Sequence, residues 1–255
     1  MAQQLRLDRY LSDMEIGTRS DIKVWIRNGR AKVNGEVVTK PETKVVISSD
    51  EVTFDENRIK YATYVYYMLH KPMGVVSARI DNVNETVIDL LDDSVQRKDL
   101  SPVGRLDKDT EGLLIITNDG ELSHQLLSPR KHVDKVYFAR VNGKVTEEDK
   151  QIFLEGIDIG EDNLTLPATL NILTSDDISE VELTIQEGKF HQVKRMFEAI
   201  DKEVIYLKRL SMGGLLLDEN LQPGEYRELT DEEVEYLKNI NKKKINDKKL
   251  ANELK

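Results

Sequence analysis

Runs of β-branched and aromatic residues recur through the middle of the chain, and they limit its fold more than any other feature. These runs are typical of strands and occupy 63–69, 112–117, 136–141 and 181–185. Helices are predicted over 86–91, 121–127, 147–153 and 191–200, with a last helix opened by the capping box at Thr230 and Glu233. Strands and helices therefore do not alternate regularly, and no glycine-rich dinucleotide fingerprint appears, which disfavours a doubly wound fold. The pattern predicts an α+β fold with a large, mostly antiparallel mixed sheet.

Charge is distributed unevenly along the 255 residues, a length that predicts two domains. The net charge is -10, but residues 1–50 carry +2 and residues 238–255 carry +5, which leaves -17 for residues 51–237. Because phosphate-binding surfaces are basic, the basic ends keep RNA possible as a partner of an acidic protein.

Cysteine is absent, which excludes a disulfide framework, a thiolate zinc site and a cysteine nucleophile. No apolar run approaches the ~20 residues of a membrane span, and the first ten residues are too polar for a signal peptide. We therefore expect a cytoplasmic protein with no membrane attachment.

The N-terminal segment combines two short helices with a hairpin. Ile22 and Ile26 share one face of the second helix, and the Asn34-Gly35 pair is a strong two-residue hairpin signal. With Arg6-Leu-Asp-Arg-Tyr-Leu11 and Thr18-Arg-Ser20, this arrangement over residues 5–52 resembles the S4-type RNA-binding domain. The resemblance implies that the second helix contacts RNA phosphates, through shape and charge rather than base readout. The residues expected to bind RNA are Arg6, Arg19, Lys23, Arg27 and Arg30.

A loop dense in carboxylates, Gly104-Arg-Leu-Asp-Lys-Asp-Thr-Glu-Gly112, leads directly into an apolar strand. Asp107, Asp109 and Glu111 mimic the first positions of an EF-hand calcium loop. The match fails at the twelfth position, where an EF-hand has a glutamate that binds calcium through both oxygens and this chain has Asn118. Asn118 also follows a predicted strand, whereas the EF-hand loop leads into a helix. A calcium site is therefore disfavoured, and we expect no metal.

Two further stretches carry candidate chemistry. In Glu187-Gly-Lys-Phe-His-Gln-Val-Lys-Arg-Met-Phe197, a strand passes into a helix whose His191, Lys194 and Arg195 lie near one another by spacing. A helix start with such residues suits an anionic substrate, although an isolated histidine is more often structural. In Lys135-Val-Tyr137, an amine and a phenol lie two residues apart, hence on one face of a strand.

Taken in order behind an S4-type domain, Gly104-Arg-Leu-Asp107, Lys135-Val-Tyr137 and His191-Gln-Val-Lys-Arg195 resemble the bacterial pseudouridine synthases that act on ribosomal RNA. Lys71-Pro-Met-Gly74 resembles that family's entry motif. The form His-Gln-Val-Lys-Arg-Met is most similar to the branch that modifies small-subunit (16S) rRNA. The resemblance implies an isomerase that needs no cofactor.

The resemblance also implies roles for individual residues. Asp107 matches the essential carboxylate, Tyr137 the tyrosine that stacks on uracil, and Lys194 the basic partner of the aspartate. The residues expected to bind substrate are Arg105, Lys108, Lys135, His191, Gln192, Arg195, Leu207 and Lys71. Among these, Arg105 and Lys108 are assigned to the RNA backbone or to flipping of the nucleotide.

The expected domains are an S4-type domain over 1–58, a linker over 59–62, a catalytic domain over 63–238 and a lysine-rich tail over 239–255. The expected partner is ribosomal RNA in a partly assembled small subunit, bound by a monomer. Two alternatives stay open: a synthase acting on large-subunit (23S) rRNA, and a non-catalytic RNA-binding factor in ribosome assembly. A binding factor has no use for a carboxylate in a cleft for an anionic ligand, which favours the enzyme.

Overall fold

Two compact units, Met1–Tyr64 and Val65–Lys255, make up the protein in the computed structural model. The described residues are 4–14, 16–59, 61 and 64–240. Residues 60 and 62 of the expected linker, and the expected tail from residue 241 onward, lie outside them. Each unit has its own hydrophobic core.

The first unit packs two helices against short strands. Its elements are β1 (Gln4–Arg6), α1 (Leu7–Asp13), α2 (Arg19–Arg27), β2 (Ala31–Val33), β3 (Glu36–Val38), β4 (Lys44–Val46), β5 (Val52–Phe54) and β6 (Asn57–Ile59). Four strands form a sheet in the order β3-β2-β5-β6, and β1 pairs with β4. The hairpin predicted at Asn34-Gly35 is confirmed, because both residues have positive φ and join β2 to β3.

The polar stretch 55–60 contains a second hairpin. Asp55 and Glu56, both with positive φ, form its turn, and β6 pairs antiparallel with β5. The ring of Tyr61 lies 4.9 Å from that of Tyr10, whose hydroxyl donates to the Ile59 carbonyl at 2.8 Å. Ile59 and Tyr61 therefore pack with the first unit, further along the chain than the S4 resemblance reaches.

The second unit is built on one nine-stranded sheet. Its strands are β7 (Tyr66–Lys71), β8 (Ser101–Pro102), β9 (Glu111–Thr117), β10 (Lys135–Asn142), β11 (Thr169–Thr174), β12 (Ile178–Ile185), β13 (Glu203–Met212), β14 (Leu215–Leu216) and β15 (Tyr226–Glu228). The main path runs β11-β12-β10-β13-β9-β7-β15, with β14 on β13 and β8 on β9. The β13–β9 pair is parallel and the other pairs are antiparallel. The predicted mostly antiparallel mixed sheet is confirmed.

Helices α3 (Gly120–Leu127), α4 (Glu147–Glu155) and α5 (Gln192–Glu198) lie where helices were predicted, and α6 covers 231–240. The predicted capping box of α6 is present, because Thr230 and Glu233 exchange backbone-to-side-chain hydrogen bonds of 2.8 and 3.2 Å. Among the described residues, no helix is both long and apolar enough to cross a membrane.

The helix predicted over 86–91 is wrong. Thr86 pairs with Val76 in a β-bridge, and its backbone NH and hydroxyl both donate to the Asp89 carboxylate at 2.8 Å. The side chain of Asp89 thus stabilises a turn that competes with helix. Val87, Ile88 and Leu91 are buried, and they are buried from turns rather than from a helix face.

Candidate active site

The loop that carries Asp107 lies immediately before β9 and is held by buried hydrogen bonds. Lys71 is completely buried, and its ammonium donates to the carbonyl oxygens of Pro72, Asp107 and Thr110 at 2.9, 3.1 and 2.9 Å. The Ser77 hydroxyl donates to the Leu106 carbonyl at 2.8 Å and accepts from the Leu106 NH at 3.0 Å. The backbone on both sides of Asp107 is therefore fixed before any substrate binds.

Parallel pairing of β9 with β13 brings the remote motifs to this loop. Gly112 pairs with Arg209, so that Leu207 on β13 lies beside the entrance to β9. On the other side of β13, Tyr137 of β10 pairs with Arg209. Gly112 is required here, because it has φ +110° and a Cβ atom would lie 2.3 Å from the Arg209 carbonyl oxygen.

A pocket opens where the Asp107 loop, β10, β13 and the start of α5 meet. Its lining residues are Arg105, Leu106, Asp107, Thr110, Tyr137, Ile185, Gly188, Lys189, His191, Gln192, Val193, Lys194 and Leu207. Tyr137 and Leu207 are buried and belong to the same hydrophobic core. The pocket thus combines an apolar floor with charged groups above it.

Two nitrogen groups face the Asp107 carboxylate, one on each oxygen. The Nε2 atom of His191 lies 3.6 Å from Oδ1, and the Nζ atom of Lys194 lies 3.7 Å from Oδ2. The Asp107 side chain keeps 29% of its surface exposed, so a substrate can reach it. This arrangement places a carboxylate between two potential cations above an apolar floor.

Lys194 is bound more closely by a second carboxylate. Its ammonium donates to both oxygens of Asp109 at 2.6 and 2.8 Å, and this contact holds the pKa of Asp109 below its ordinary value. The Asp109 side chain is 70% exposed. The resemblance paired Lys194 with Asp107, whereas in the structure Asp109 is its closer partner.

Seven of the eleven expected catalytic and substrate-binding residues line the pocket, namely Asp107, Tyr137, Lys194, Arg105, His191, Gln192 and Leu207. Gln192 also braces the turn before α5: its amide donates to Glu187 at 2.8 Å and accepts from the Lys189 NH at 2.9 Å. His191 has a left-handed backbone with φ 49° at the N-cap of α5.

The other four residues are not among the lining residues of the pocket. Lys71 lies behind the loop, as described above. Lys108 donates to the Asn84 amide oxygen at 2.7 Å, and Arg195 donates to Glu161 at 2.8 Å and to the Ile159 carbonyl. Lys135 is buried with its amine 3.3 Å from the Val133 carbonyl. Each of these side chains has a protein partner, and their substrate contacts stay predictions.

Burial also shifts the pKa values of two of these lysines. Desolvation lowers the pKa of Lys71 to about 8, against the raising effect of Asp107 and Asp109 nearby. Desolvation, with the Arg209 guanidinium nearby, likewise lowers the pKa of Lys135 to about 8. Both lysines are therefore parts of the interior.

In the first unit, the five expected RNA-binding residues fall into two groups. Arg19, Lys23 and Arg27 follow one another at four-residue intervals along α2, on the flank next to the buried Ile22 and Ile26. By contrast, Arg6 pairs with Asp8, and Arg30 pairs with Asp55 and lies over the Trp25 and Phe54 rings. The α2 residues therefore form a basic face, while Arg6 and Arg30 stabilise the unit itself.

No group of three or more histidine, cysteine, aspartate or glutamate side chains is arranged to hold a metal ion within the described part of the chain. Asn118, the twelfth position of the EF-hand comparison, follows β9 and donates to Asp99 at 2.9 Å.

Comparison with known proteins agrees with this site. Residues 65–199 match the RNA pseudouridylate synthase family, and residues 5–52 match the S4 domain. The chain is 44% identical to the uncharacterized RNA pseudouridine synthase YtzG of Bacillus subtilis, over 91% of this chain and 98% of that protein. A solved pseudouridylate synthase is similar too, with a TM-score of 0.64, 38% identity, and coverage of 91% of this chain and 99% of that one.

Two similar proteins are named ribosomal small subunit pseudouridine synthase A. Identity is 39% with that of Escherichia coli K12 and 42% with that of Vibrio cholerae, in both cases over 90% of this chain and 98% of the relative. On this evidence the chain belongs to the RNA pseudouridylate synthase family, and it is an enzyme that isomerises uridine in RNA.

Proposed function

We propose that this enzyme modifies a uridine of small-subunit ribosomal RNA and that Asp107 performs the chemistry. One observation carries the proposal: a chain that spans 98% of two small-subunit synthases places a carboxylate, Asp107, between two nitrogen groups above an apolar pocket floor. The branch assignment rests on those relatives, and the role of Asp107 rests on the geometry.

The reaction breaks the N1–C1′ glycosidic bond, rotates the uracil and joins C5 to C1′. The C5 proton is lost and N1 gains one, so no electrons are exchanged with another reactant. Asp107 assists in one of two ways: its carboxylate attacks C1′ and displaces the uracil, or it takes the C2′ proton as the uracil departs, which leaves the ribose as a glycal, and returns that proton when C5 bonds to C1′. A carboxylate suits both routes, because it can form a transient ester at C1′ or act as a base.

Two nitrogen groups are placed to offset the negative charge of Asp107. The Lys194 ammonium lies 3.7 Å from Oδ2, and the His191 Nε2 atom lies 3.6 Å from Oδ1. An opposite charge at such a distance attracts a carboxylate. Lys194 therefore offsets part of the charge of Asp107 next to an RNA substrate that is itself anionic.

The apolar floor accepts the detached base. Tyr137 and Leu207 are each at most 7% exposed, so they offer a preformed surface on which uracil stacks while it turns. Arg105 lines the pocket and is exposed, where it can contact the backbone of a flipped nucleotide. Extruding the nucleotide costs a few kcal/mol, which contacts of this kind must offset.

RNA binding outside the pocket is assigned to the basic face of α2, formed by Arg19, Lys23 and Arg27. The acidic charge of residues 51–237 makes unaided binding to bare RNA sensitive to salt. This supports a substrate presented by a partly assembled small subunit in the cytoplasm. We propose a monomer as the active form.

Asp107→Asn tests the proposal in vitro, with small-subunit rRNA, free and partly assembled, as substrate. We expect pseudouridine formation to fall at least about a thousandfold, because the amide cannot act as a nucleophile or base. Asp177→Asn is the matched control, since Asp177 lies in the exposed turn between β11 and β12. A variant Asp107→Asn that kept a tenth or more of the rate would remove Asp107 from the mechanism. Modification of large-subunit rRNA alone would overturn the branch assignment.

A further inference from the structure

Phe190 is an exposed aromatic residue at the edge of the active site. Its surface is 67% exposed, although it directly precedes His191, which lines the pocket. The two rings are stacked, with centroids 3.8 Å apart and an angle of 18° between their planes. The stack ends next to the catalytic carboxylate, because His191 Nε2 lies 3.6 Å from Asp107.

The turn that presents Phe190 is fixed by the protein. The Arg195 guanidinium donates to the Phe190 carbonyl at 3.0 Å and is itself held by Glu161. Gln192 bonds to the Lys189 NH on one side and to Glu187 on the other. Arg195, which sequence reasoning assigned to substrate, therefore holds the backbone of the exposed ring. Preorganisation of this kind lowers the entropic cost of binding.

We propose that the Phe190–His191 stack is a platform for the nucleobase that flanks the target uridine in the RNA. This inference rests on the function proposed above. A flipped uridine leaves its neighbours unstacked, and exposed aromatic faces bind such bases without regard to their identity. The uracil itself has a separate surface inside the pocket, formed by Tyr137 and Leu207. Phe190 stands outside that floor, so it suits the flanking base.

Single-turnover kinetics with the small-subunit substrate test the platform. For Phe190→Ala we expect the half-saturating concentration to rise roughly five- to a hundredfold, the loss expected when one stacked base is released. The rate at saturation should stay within about twofold, because Phe190 does not touch the reacting atoms. Phe190→Trp should bind as the wild type does. Leu216→Ala is the matched control: Leu216 is 69% exposed in β14, and its loss should not weaken binding.

A fluorescence titration separates failure of the platform from failure of the proposed function. The variant Asp107→Asn/Phe190→Trp adds one tryptophan to the native Trp25 and is titrated with the same RNA; Asp107→Asn alone is the reference. We expect additional quenching from the introduced indole when a base stacks on it. If Phe190→Ala binds as tightly as the wild type and the indole is not quenched, the platform is wrong. If the indole is quenched but the wild type forms no pseudouridine, the proposed function fails and the platform stands.

Discussion

At the scale of single residues, two buried lysines show how similar environments serve different purposes. Lys71 and Lys135 are both at least 94% buried, and burial lowers the pKa of each to about 8. Lys71 donates three hydrogen bonds to the loop around Asp107, whereas Lys135 donates one of 3.3 Å. The two lysines are similarly buried, so the difference in their hydrogen-bond partners decides what each contributes to stability.

Lys71→Met should therefore lower the free energy of unfolding, whereas Lys135→Met should not. Lys71→Met removes the ammonium donor from three carbonyl oxygens, of which that of Asp107 keeps the Thr110 NH, and we expect the free energy of unfolding to fall by about 2–4 kcal/mol. Lys135→Met replaces a poorly partnered buried cation with an apolar side chain, so its free energy of unfolding should be unchanged or higher. Urea unfolding at pH 7 measures both. Equal losses in the two variants would contradict the assignment of Lys71 to the loop.

The effect of Lys135→Met should also depend on pH. The folded pKa of Lys135, about 8, lies below its ordinary value of 10.5, so the unfolded chain binds more protons between these pH values. The contribution of this lysine to stability therefore rises with pH across that window, by up to about 1.4 kcal/mol per pH unit. The advantage of Lys135→Met should shrink from pH 8 to pH 10 in unfolding experiments. An advantage that does not change with pH would show that Lys135 is not desolvated in the native protein.

At the scale of elements, the active site depends on the parallel contact between β9 and β13. This contact joins a strand that follows the Asp107 loop to a strand that carries Leu207, almost a hundred residues later. The two strands approach this closely because Gly112 has no Cβ atom where the Arg209 backbone lies against it.

Gly112→Ala should be severely destabilising. A Cβ atom would lie 2.3 Å from the Arg209 carbonyl oxygen, so the strands must separate, at a cost of about 4 kcal/mol or more. Gly74→Ala is the control: its φ is +87°, but a Cβ atom there has open space, and we expect a loss of about 1–2 kcal/mol. Thermal unfolding compares the two. Similar losses would mean that backbone strain, and not the strand contact, sets the requirement for glycine.

Sequence reasoning succeeded at this scale where the signal was local. The Asn34-Gly35 hairpin, the strands and α4 follow from turn chemistry and side-chain patterns within a few residues. At 86–91 the spacing of Val87, Ile88 and Leu91 is that of a helix, but the contacts of Thr86 with the Asp89 carboxylate favour a turn.

Side-chain contacts between residues far apart in the sequence could not be predicted from the sequence. The motifs predicted which segments form the site, and seven expected residues do meet in one pocket. Spacing along the chain does not reveal that Lys194 contacts Asp109, that Arg195 contacts Glu161, or that Lys71 is buried beneath the loop. Phe190 belongs to the motif Glu187–Phe197. An aromatic residue in a polar turn beside His191 is the sequence signal that indicates an exposed ring at the site.

At the scale of the whole molecule, an acidic enzyme must bind a polyanion. We propose that the basic face of α2 in the first unit binds phosphates, while the second unit supplies the pocket. We therefore expect the first unit to supply most of the affinity for RNA and the second unit to carry out the reaction.

Replacing Arg19, Lys23 and Arg27 together with glutamine should weaken RNA binding without changing the rate at saturation. Each lost phosphate contact lowers the dependence of log affinity on log salt by about 0.7–0.9, so the slope should fall by about 2–3. Arg58→Gln is the control, since Arg58 is an exposed arginine of the same unit that pairs with Glu51. Affinity measured from low to moderate salt checks this. A slope that matches the wild type would place the RNA elsewhere.

The central claim is that Asp107 of this chain creates a pseudouridine in small-subunit ribosomal RNA. Mapping of pseudouridine across ribosomal RNA in cells that lack the protein, complemented with the wild type or with Asp107→Asn, tests it most directly. The account predicts that one small-subunit pseudouridine disappears and returns only with the wild type. Its return with Asp107→Asn, or the loss of a large-subunit site instead, would contradict the account.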